Sequence, residues 1–512
     1  MAPLNPELSV NLVNRKLSYA GRCNMSWTYH HKSGIVFLVV ILLVAGCMPG
    51  AVPYGIGETA AASQTPETIP TPFPTRPAYA PGQLVDYIAQ TGDTLPALAI
   101  HFNTTIAEIR SANPDIPLDA TTMPPGMPMK IPIYYLPFWG TQFKILPDAL
   151  FVNGPDVIGF DTGAFVAGQP GWLKDYSTYA GGENRSGARI VDYVAINYSI
   201  SPRLLLALLE YQTGALSSAT APDLDYLLGH EDYNYAGLYL QLVWAANLLN
   251  NGYYGWRSGR MSLITHLDGT LERPDPWQNA ATVAFQYYFS TLYAGDAYNR
   301  AISSLGFAQV YHRLFGDPWL TDQSLIPVSL QQPIFTFPFA ADETWAFTGG
   351  PHTGWGRGDP FAAVDFAPAS NTTGCYASEK WARAVADGIV VRIQPGVVML
   401  DLDGDGDERT GWVILYLHVA TDGKVPLGGV LKAGDMIGHP SCEGGSSTGT
   451  HVHLARKYNG EWIPADSAIP LNFEGWIVHN GNAAYEGTMI RNNVTVVACV
   501  CADALSQIRA GR

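Results

Sequence analysis

At 512 residues the chain is too long for a single hydrophobic core, and roughly three domains is the natural reading. A hydrophobic share of 47% with only 14% charged residues fits folded, globular protein. The formal charge of −15, with no lysine/arginine cluster, argues against nucleic acid as a partner. The 13 Trp and 27 Tyr could line carbohydrate or peptide grooves, although aromatics fill cores more often.

Arg15, Lys16, Arg22 and Lys32 precede an apolar run from Ile35 to Ala45. About eleven residues is too short to span a bilayer and suits a signal-peptide core. The run closes on Val44-Ala45-Gly46-Cys47, which resembles the lipobox of bacterial lipoproteins. That resemblance implies a signal peptide over 1–47, a lipid on Cys47, and an extracytoplasmic chain anchored to the bacterial cell membrane. The long basic stretch leaves Met25 as an alternative start, and an uncleaved anchor is the alternative to lipidation. Setting aside Cys23 and Cys47, four cysteines remain, and an even number in an exported chain suggests disulfides. Three pairings are open. Cys375–Cys442 is expected, since both lie in loops around the histidine motifs below; Cys499 and Cys501, two apart, are expected to pair poorly with each other in an extended strand.

Residues 48–82 are rich in proline and threonine, which favour extended, solvated backbone, and read as a linker. Residues 83–135 follow with a strand at Tyr87-Ile88-Ala89 and a turn at Gly92-Asp93-Thr94. A helix with Leu95, Leu98, Ala99 and Phe102 on its apolar face comes next, then a second helix with Ile106 and Ile109, and a returning strand "MKIPI". With "GDTL", "SANP" and "PGMPMKIP", this strand–helix–helix–strand order resembles the LysM module. The resemblance implies binding of glycans containing N-acetylglucosamine, with the Gly92, Asp93, Thr94 region as the place to look; the alternative is a spacer without glycan contacts.

Residues 140–328 read as helical. "SPRLLLALLEYQTGALS" begins with a Ser201 cap and Pro202 at the first helical position. The succession of helices resembles the lysozyme-like fold of soluble lytic transglycosylases, with "ALLEYQTG" in the place of that family's catalytic segment and "GLYLQL" as the second motif. Gln212 then stands where the catalytic glutamate belongs. An amide has no proton to give the leaving oxygen of a glycoside. Glu210, two residues earlier, lies on another helix face, roughly 200° away. The domain is therefore expected to be non-catalytic.

From about residue 331 to 480 the chain changes to short β-branched and aromatic runs separated by Gly/Pro/Asp turns, as in an antiparallel β domain. Residues 481–512 are left as a C-terminal extension. "GGPHTGWGRGDPFAAVDFAP" places His352 in a turn and Asp365 in a strand, 13 positions apart. In "GTHVHLA", His451 and His453 are two apart, so on a strand both imidazoles enter one space. His418 ends the apolar strand "ILYLHV". Zinc in a catalytic site takes three protein ligands and leaves a fourth position open. His352, Asp365 and one histidine of the 451/453 pair supply such a set, with two histidines left for chemistry.

"PHTGWGRGDPFAAVDF", "LYLH" and "GTHVH" together, in this order, resemble the lysostaphin-type zinc endopeptidases of peptidase family M twenty-three. The long His–Asp spacing resembles the beta-lytic branch. The resemblance implies His352, Asp365 and His453 as ligands of one Zn²⁺. His451 is then the general base, and His418, protonated or donating, stabilises the oxyanion. The substrate it implies is the peptide part of peptidoglycan, with N-acetylglucosamine glycan as the LysM ligand. The alternative is a catalytically inactive wall-binding lipoprotein that scaffolds or activates another hydrolase. Asp401, Asp403 and Asp405 alternate as at the start of a calcium loop, but Trp412 stands where the closing glutamate belongs. A solvated hairpin turn is therefore expected rather than Ca²⁺. His439 is read as a loop histidine at the site's rim. The expected fold is multidomain α+β: a small LysM unit, a helical lysozyme-like middle and a C-terminal antiparallel β domain.

Overall fold

The computed structural model describes residues 76–320 and 325–511. The apolar run at 35–45, the lipobox with Cys47 and most of the 48–82 linker lie outside the described residues. Among the described residues no helix is long and apolar enough to cross a membrane.

The first unit packs β1 (Gln83–Ile88), α1 (Leu95–His101), α2 (Ile106–Ala112) and β2 (Pro128–Ile133), with the two strands antiparallel. Thr94 caps α1 by accepting the Ala97 N–H, and Thr105 and Glu108 form a reciprocal capping box on α2. Leu98, Phe102, Ile109, Ile131 and Ile133 make its small core. The end of the expected linker is not free: Arg76 pairs with Asp275 and lies over the Trp277 ring.

The helical part contains α3 (Thr162–Ala167), α4 (Gly187–Tyr198), α5 (Pro202–Thr213), α6 (Leu238–Arg257), α7 (Ala280–Ser290), α8 (Gly295–Ala301) and α9 (Phe307–Phe315). Two small hairpins join them, β3 (Ser177–Ala180) with β4 (Glu183–Ser186) and β5 (Ile264–Thr265) with β6 (Leu271–Glu272). Pro202 opens α5, but Ser201 makes no side-chain cap: its hydroxyl is buried without a partner among the described residues. Glu210 faces inward. Its carboxylate accepts the N–H groups of Leu216 and Ser217 and pairs with Arg313 at 3.0 Å, so it closes the turn after α5. Gln212 takes a hydrogen bond from the Tyr293 hydroxyl at 2.6 Å.

The remaining strands are β7 (Thr344–Thr353), β8 (Phe361–Pro368), β9 (Ala382–Arg383), β10 (Gly388–Gln394), β11 (Gly396–Asp401), β12 (Trp412–Val419), β13 (Val430–Leu431) and β14 (Met436–Gly438). They continue with β15 (Val452–Tyr458), β16 (Glu461–Trp462), β17 (Asn472–Phe473), β18 (Trp476–Asn480), β19 (Gly487–Arg491), β20 (Val494–Val497) and β21 (Gln507–Arg509). One large sheet runs in the order β13-β10-β11-β12-β15-β8-β7-β21, with β16 on β15; β17-β18-β19-β20 form a second sheet. Residues 481–512 are thus no appendage, because β21 pairs with β7 along the edge of the large sheet. Cys499 and Cys501 are joined to each other, against expectation. They lie in a turn beyond β20 rather than in a strand, and the turn brings their Cα atoms to 5.1 Å.

Alternation along the strands gives the large sheet two apolar faces. Val364, Phe366, Ile414, Tyr416, Val452 and Leu454 pack with Phe337, Phe473 and Met489 on one side. Ala363, Leu415, Leu417 and Ala455 on the other side share a single core with α4 to α7. The helical and β parts, expected as separate domains, are joined through one apolar layer.

Candidate metal centre

Three neighbouring strands bring the ligands together. His453 on β15 sits directly opposite Asp365 on β8, and Leu417 on β12 flanks His453 from the other side. These positions share the sheet face that carries Ala363 and Ala455. β7 pairs with β8 in register up to Phe347, then slips between Phe347, Gly349 and His352, which delivers His352 opposite Ala363. A bulge of this kind re-aims a side chain. Gly349 is required by close approach, since a Cβ there would run into the Asp365 carboxylate.

The resulting triangle is tight. His352 Nε2 lies 3.0 Å from His453 Nδ1 and 3.3 Å from Asp365 Oδ1, and His453 Nδ1 lies 3.2 Å from Asp365 Oδ1. All three residues are buried. The protons are accounted for elsewhere: His352 Nδ1–H donates to Gly350 O at 2.8 Å, and His453 Nε2–H to Gly354 O at 3.2 Å. A carbonyl can only accept, so the nitrogens facing each other both present lone pairs. Asp365 Oδ1, aimed between them, has no hydrogen-bond donor among the described residues. Burial works against its charge, and the His352 and His451 imidazoles would hold its carboxyl well below the usual carboxylate range only in their protonated form, so with lone pairs facing it a cation must take that role. Three acceptors pointed at one another form an arrangement that a cation completes. A tetrahedron with ligand distances of about 2.0–2.1 Å has edges of about 3.3–3.4 Å, close to this triangle. The residues fit Zn²⁺.

Two further histidines border the triangle. His451 donates Nδ1–H to Gly449 O at 2.8 Å, and its Nε2 lies 3.6 Å from Asp365 Oδ1. The His418 ring is 4.5 Å from that of His451, and its Nδ1–H is held by Glu443 O at 2.9 Å. His418 has φ of +66°, a left-handed backbone that histidine tolerates better than most residues and that recurs at functional sites. Ser441 holds that backbone by donating both its N–H, at 2.6 Å, and its hydroxyl, at 2.9 Å, to His418 O. Burial, and next the imidazoles of His451 and His453, push the His418 pKa down to about 3. His418 Nδ1–H is donated to Glu443 O, so any proton it offers an oxyanion is carried on Nε2.

The Cys375–Cys442 disulfide ties the loop after β8 to the loop ending at His451, next to Ser441. Tyr485, which the sequence reading left unassigned in the extension, stacks on His352 with ring centroids 4.1 Å apart. Its own signal is slight, a tyrosine in a Gly/Asn-rich loop, and backbone bonds to β7 hold it there, Gly350 N–H donating to Tyr485 O at 2.8 Å and Tyr485 N–H to Pro351 O at 3.2 Å.

Other expected positions lie elsewhere. His439 donates Nδ1–H to Lys380 O at 2.9 Å and packs on Trp381, at the rim. Asp401, Asp403 and Asp405 accept N–H groups of their own loop, at Asp403, Gly406, Asp405 and Asp407, in the β11–β12 hairpin. In the first unit the Asp93 carboxylate takes the Tyr87 hydroxyl at 2.6 Å and the Gln90 N–H at 2.7 Å, Thr94 caps α1, and Gly92 lies against the Arg257 guanidinium. These groups serve the fold and an internal contact.

Comparison with known proteins agrees with parts of this reading. Residues 87–132 match the family model of the LysM domain, and residues 144–329 match that of the LasA N-terminal domain, where a lysozyme-like domain was expected. Among curated proteins, Protease LasA of Pseudomonas aeruginosa strain UCBPP-PA14 is 25% identical over 359 residues, covering 67% of this chain and 79% of that protein. Protease LasA of strain PAO1 is 25% identical over 358 residues with the same coverage. Among solved structures, Pseudoalterin, a deep-sea metalloprotease of family M twenty-three, has 22% identity and a TM-score of 0.28. It covers 33% of this chain and 96% of its own. The catalytic domain of lysostaphin from Staphylococcus simulans has 21% identity and a TM-score of 0.18, covering 25% of this chain and 95% of its own. The chain is thus similar to Protease LasA over 67% of its length, with the stretch matching the LysM domain lying ahead of the one matching the LasA N-terminal domain.

Proposed function

We propose that the chain is a zinc-dependent endopeptidase that hydrolyses peptide bonds in peptidoglycan. Its LysM domain would bring it to the wall glycan, and a lipid on Cys47 would hold it at the envelope. The observation that carries the catalytic reading is the buried, donor-free Asp365 Oδ1 facing the lone pairs of His352 Nε2 and His453 Nδ1. The similarity to proteins named Protease LasA supports a peptidase, and the LysM match supports the wall as its location.

His352, Asp365 and His453 would hold the zinc, which when bound polarises a carbonyl and lowers the pKa of a water. His451 is fixed through Gly449 O, so its Nε2 is oriented to take a proton from the attacking water and return it to the leaving amine. His418 Nε2 borders the same space from β12. When it carries a proton there, it would donate to the developing negative oxygen. Tyr485 holds the His352 ring in plane from behind. Glu210 has no part in this chemistry, being committed to Leu216, Ser217 and Arg313.

The test is digestion of purified peptidoglycan by the full chain, with and without a chelator. New free amines that vanish with chelator and return with Zn²⁺ are expected. Zinc-loaded, folded protein that binds the wall but releases no amines would favour the non-catalytic scaffold instead. New reducing sugar ends would move the activity to the helical part.

A further inference from the structure

The loop between His352 and Asp365 is long, carries glycines at 354, 356 and 358, and makes few bonds to its own strands. It nevertheless has a defined task, because Gly354 O accepts His453 Nε2–H and so leaves Nδ1 as the ligand atom. What holds the loop is α6. Asn247 Oδ1 accepts the Arg357 N–H and Asn251 Oδ1 accepts the Asp359 N–H, each at 2.7 Å. Asn247 is itself oriented by donating Nδ2–H to Val243 O at 2.9 Å. Gly356 and Gly358 have φ of +81° and +84°, and a side chain on either would run into Asn247 or Asn251. Further along the same helix stripe the Tyr254 hydroxyl accepts the Trp462 N–H at 3.0 Å. Positions 247, 251 and 254 share one face at helical spacing. Three backbone donors of the β part are thus met by side-chain oxygens of one helix, while Arg260 pairs with Asp359.

We infer that Asn247 and Asn251 are positioning residues of the metal centre. By clamping the 354–359 loop in the full chain, they help to set the carbonyl that orients His453. The inference rests on the reading of His352, Asp365 and His453 as metal ligands. Partners behind a ligating histidine typically change metal affinity by roughly 10- to 100-fold when removed.

The experiment measures the Zn²⁺ dissociation constant of the full chain by competition with a chromophoric chelator, together with the melting temperature of the metal-free protein. Asn247→Leu combined with Asn251→Leu is expected to weaken Zn²⁺ binding by roughly 10-fold or more. Asn251→Asp alone, with Asn247 and its bond to Val243 O kept, retains both acceptor oxygens and is expected to hold the affinity near wild type. Gln241→Leu, also on α6, which breaks bonds to Leu228, His230 and Tyr235 in the segment before that helix, lowers the melting temperature but leaves Zn²⁺ affinity unchanged. If the leucine pair does not fold, Asn247→Ala alone carries the comparison. Wild-type affinity in the leucine pair, or an equal loss in Gln241→Leu, overturns the inference while leaving the peptidase reading intact. Wild-type protein that binds no Zn²⁺ overturns the metal reading and this inference with it.

Discussion

Arg257 and Glu461 meet in the interior between the helical and β parts: Arg257 Nη2 donates to Glu461 Oε2 at 3.1 Å, and the Tyr253 hydroxyl donates to the same oxygen at 3.2 Å. Arg257 also donates to Thr91 O in the LysM unit, so one guanidinium touches all three parts of the chain. Removing one partner of a buried pair leaves an uncompensated charge and costs about 3–5 kcal/mol. Arg257→Leu and Glu461→Gln are therefore expected to destabilise the chain strongly in denaturant titrations. The double replacement by leucines is expected to recover only a small part of the loss, because Asp148, 3.5 Å from the guanidinium, then stays buried without its cation. If either single variant melts like wild type, the pair does not hold the parts together.

Asp365→Asn keeps the volume and removes the negative charge that a cation held by the two lone-pair nitrogens would need. Zinc content by atomic absorption is expected to fall to background. Hydrolysis of peptidoglycan is expected to drop on the order of 10³-fold, corresponding to several kcal/mol of lost electrophilic assistance. The metal-free chain should keep its melting temperature. Full zinc occupancy in this variant would contradict the ligand assignment.

The His101 ring stacks on Trp256 with centroids 3.5 Å apart, and burial pushes its pKa from 6.5 to about 3. In that window the unfolded chain binds the proton and the folded chain does not, so stability rises with pH and is lost as pH falls below 6.5. Burial pushes Asp93 the other way, from 3.8 to about 6, and its contribution has the opposite sign between those values. Comparing His101→Gln with wild type isolates the histidine. The variant's loss of stability on acidification from pH 6 to 4 is expected to be shallower by up to about 1.4 kcal/mol per pH unit. Parallel curves from urea titrations at several pH values would show that the ring titrates normally.

The two disulfides close loops of very different length, with sequence separations of 67 and 2. Loop entropy alone assigns about 4 kcal/mol to the first and about 1.6 kcal/mol to the second. Cys375→Ser with Cys442→Ser is expected to lower stability markedly. It should also slow hydrolysis, because it frees the loop whose Ser441 holds His418. Cys499→Ser with Cys501→Ser is expected to leave hydrolysis unchanged. The reverse ranking would move the structural weight to the turn beyond β20.

Much of the site was readable because its chemistry is carried by residue type and spacing. His451 and His453 on one strand must share a face, so only the partner strand was unknown. His352 stands in a turn and Asp365 in an apolar strand, positions that packing does not ask for. The LysM unit was readable for a similar reason, since "GDTL" and "SANP" cap and punctuate two short helices. The hydrogen-bonding state of His418 was not readable, because it depends on Glu443 O, 25 residues away on a loop. Nor was the Cys499–Cys501 pairing, which a turn decides.

The sequence by itself determined which side chains could bind a metal and which segments were helix or strand, since those follow from donor chemistry and local periodicity. Tertiary structure decided which nitrogen of each imidazole faces inward, through carbonyls of Gly350, Gly354, Gly449 and Glu443. It also decided that α4 to α7 cover the sheet face bearing the ligands and that residues 481–512 complete it. Carbonyl direction and face burial depend on contacts between segments distant in the chain, and no local pattern of residues encodes them.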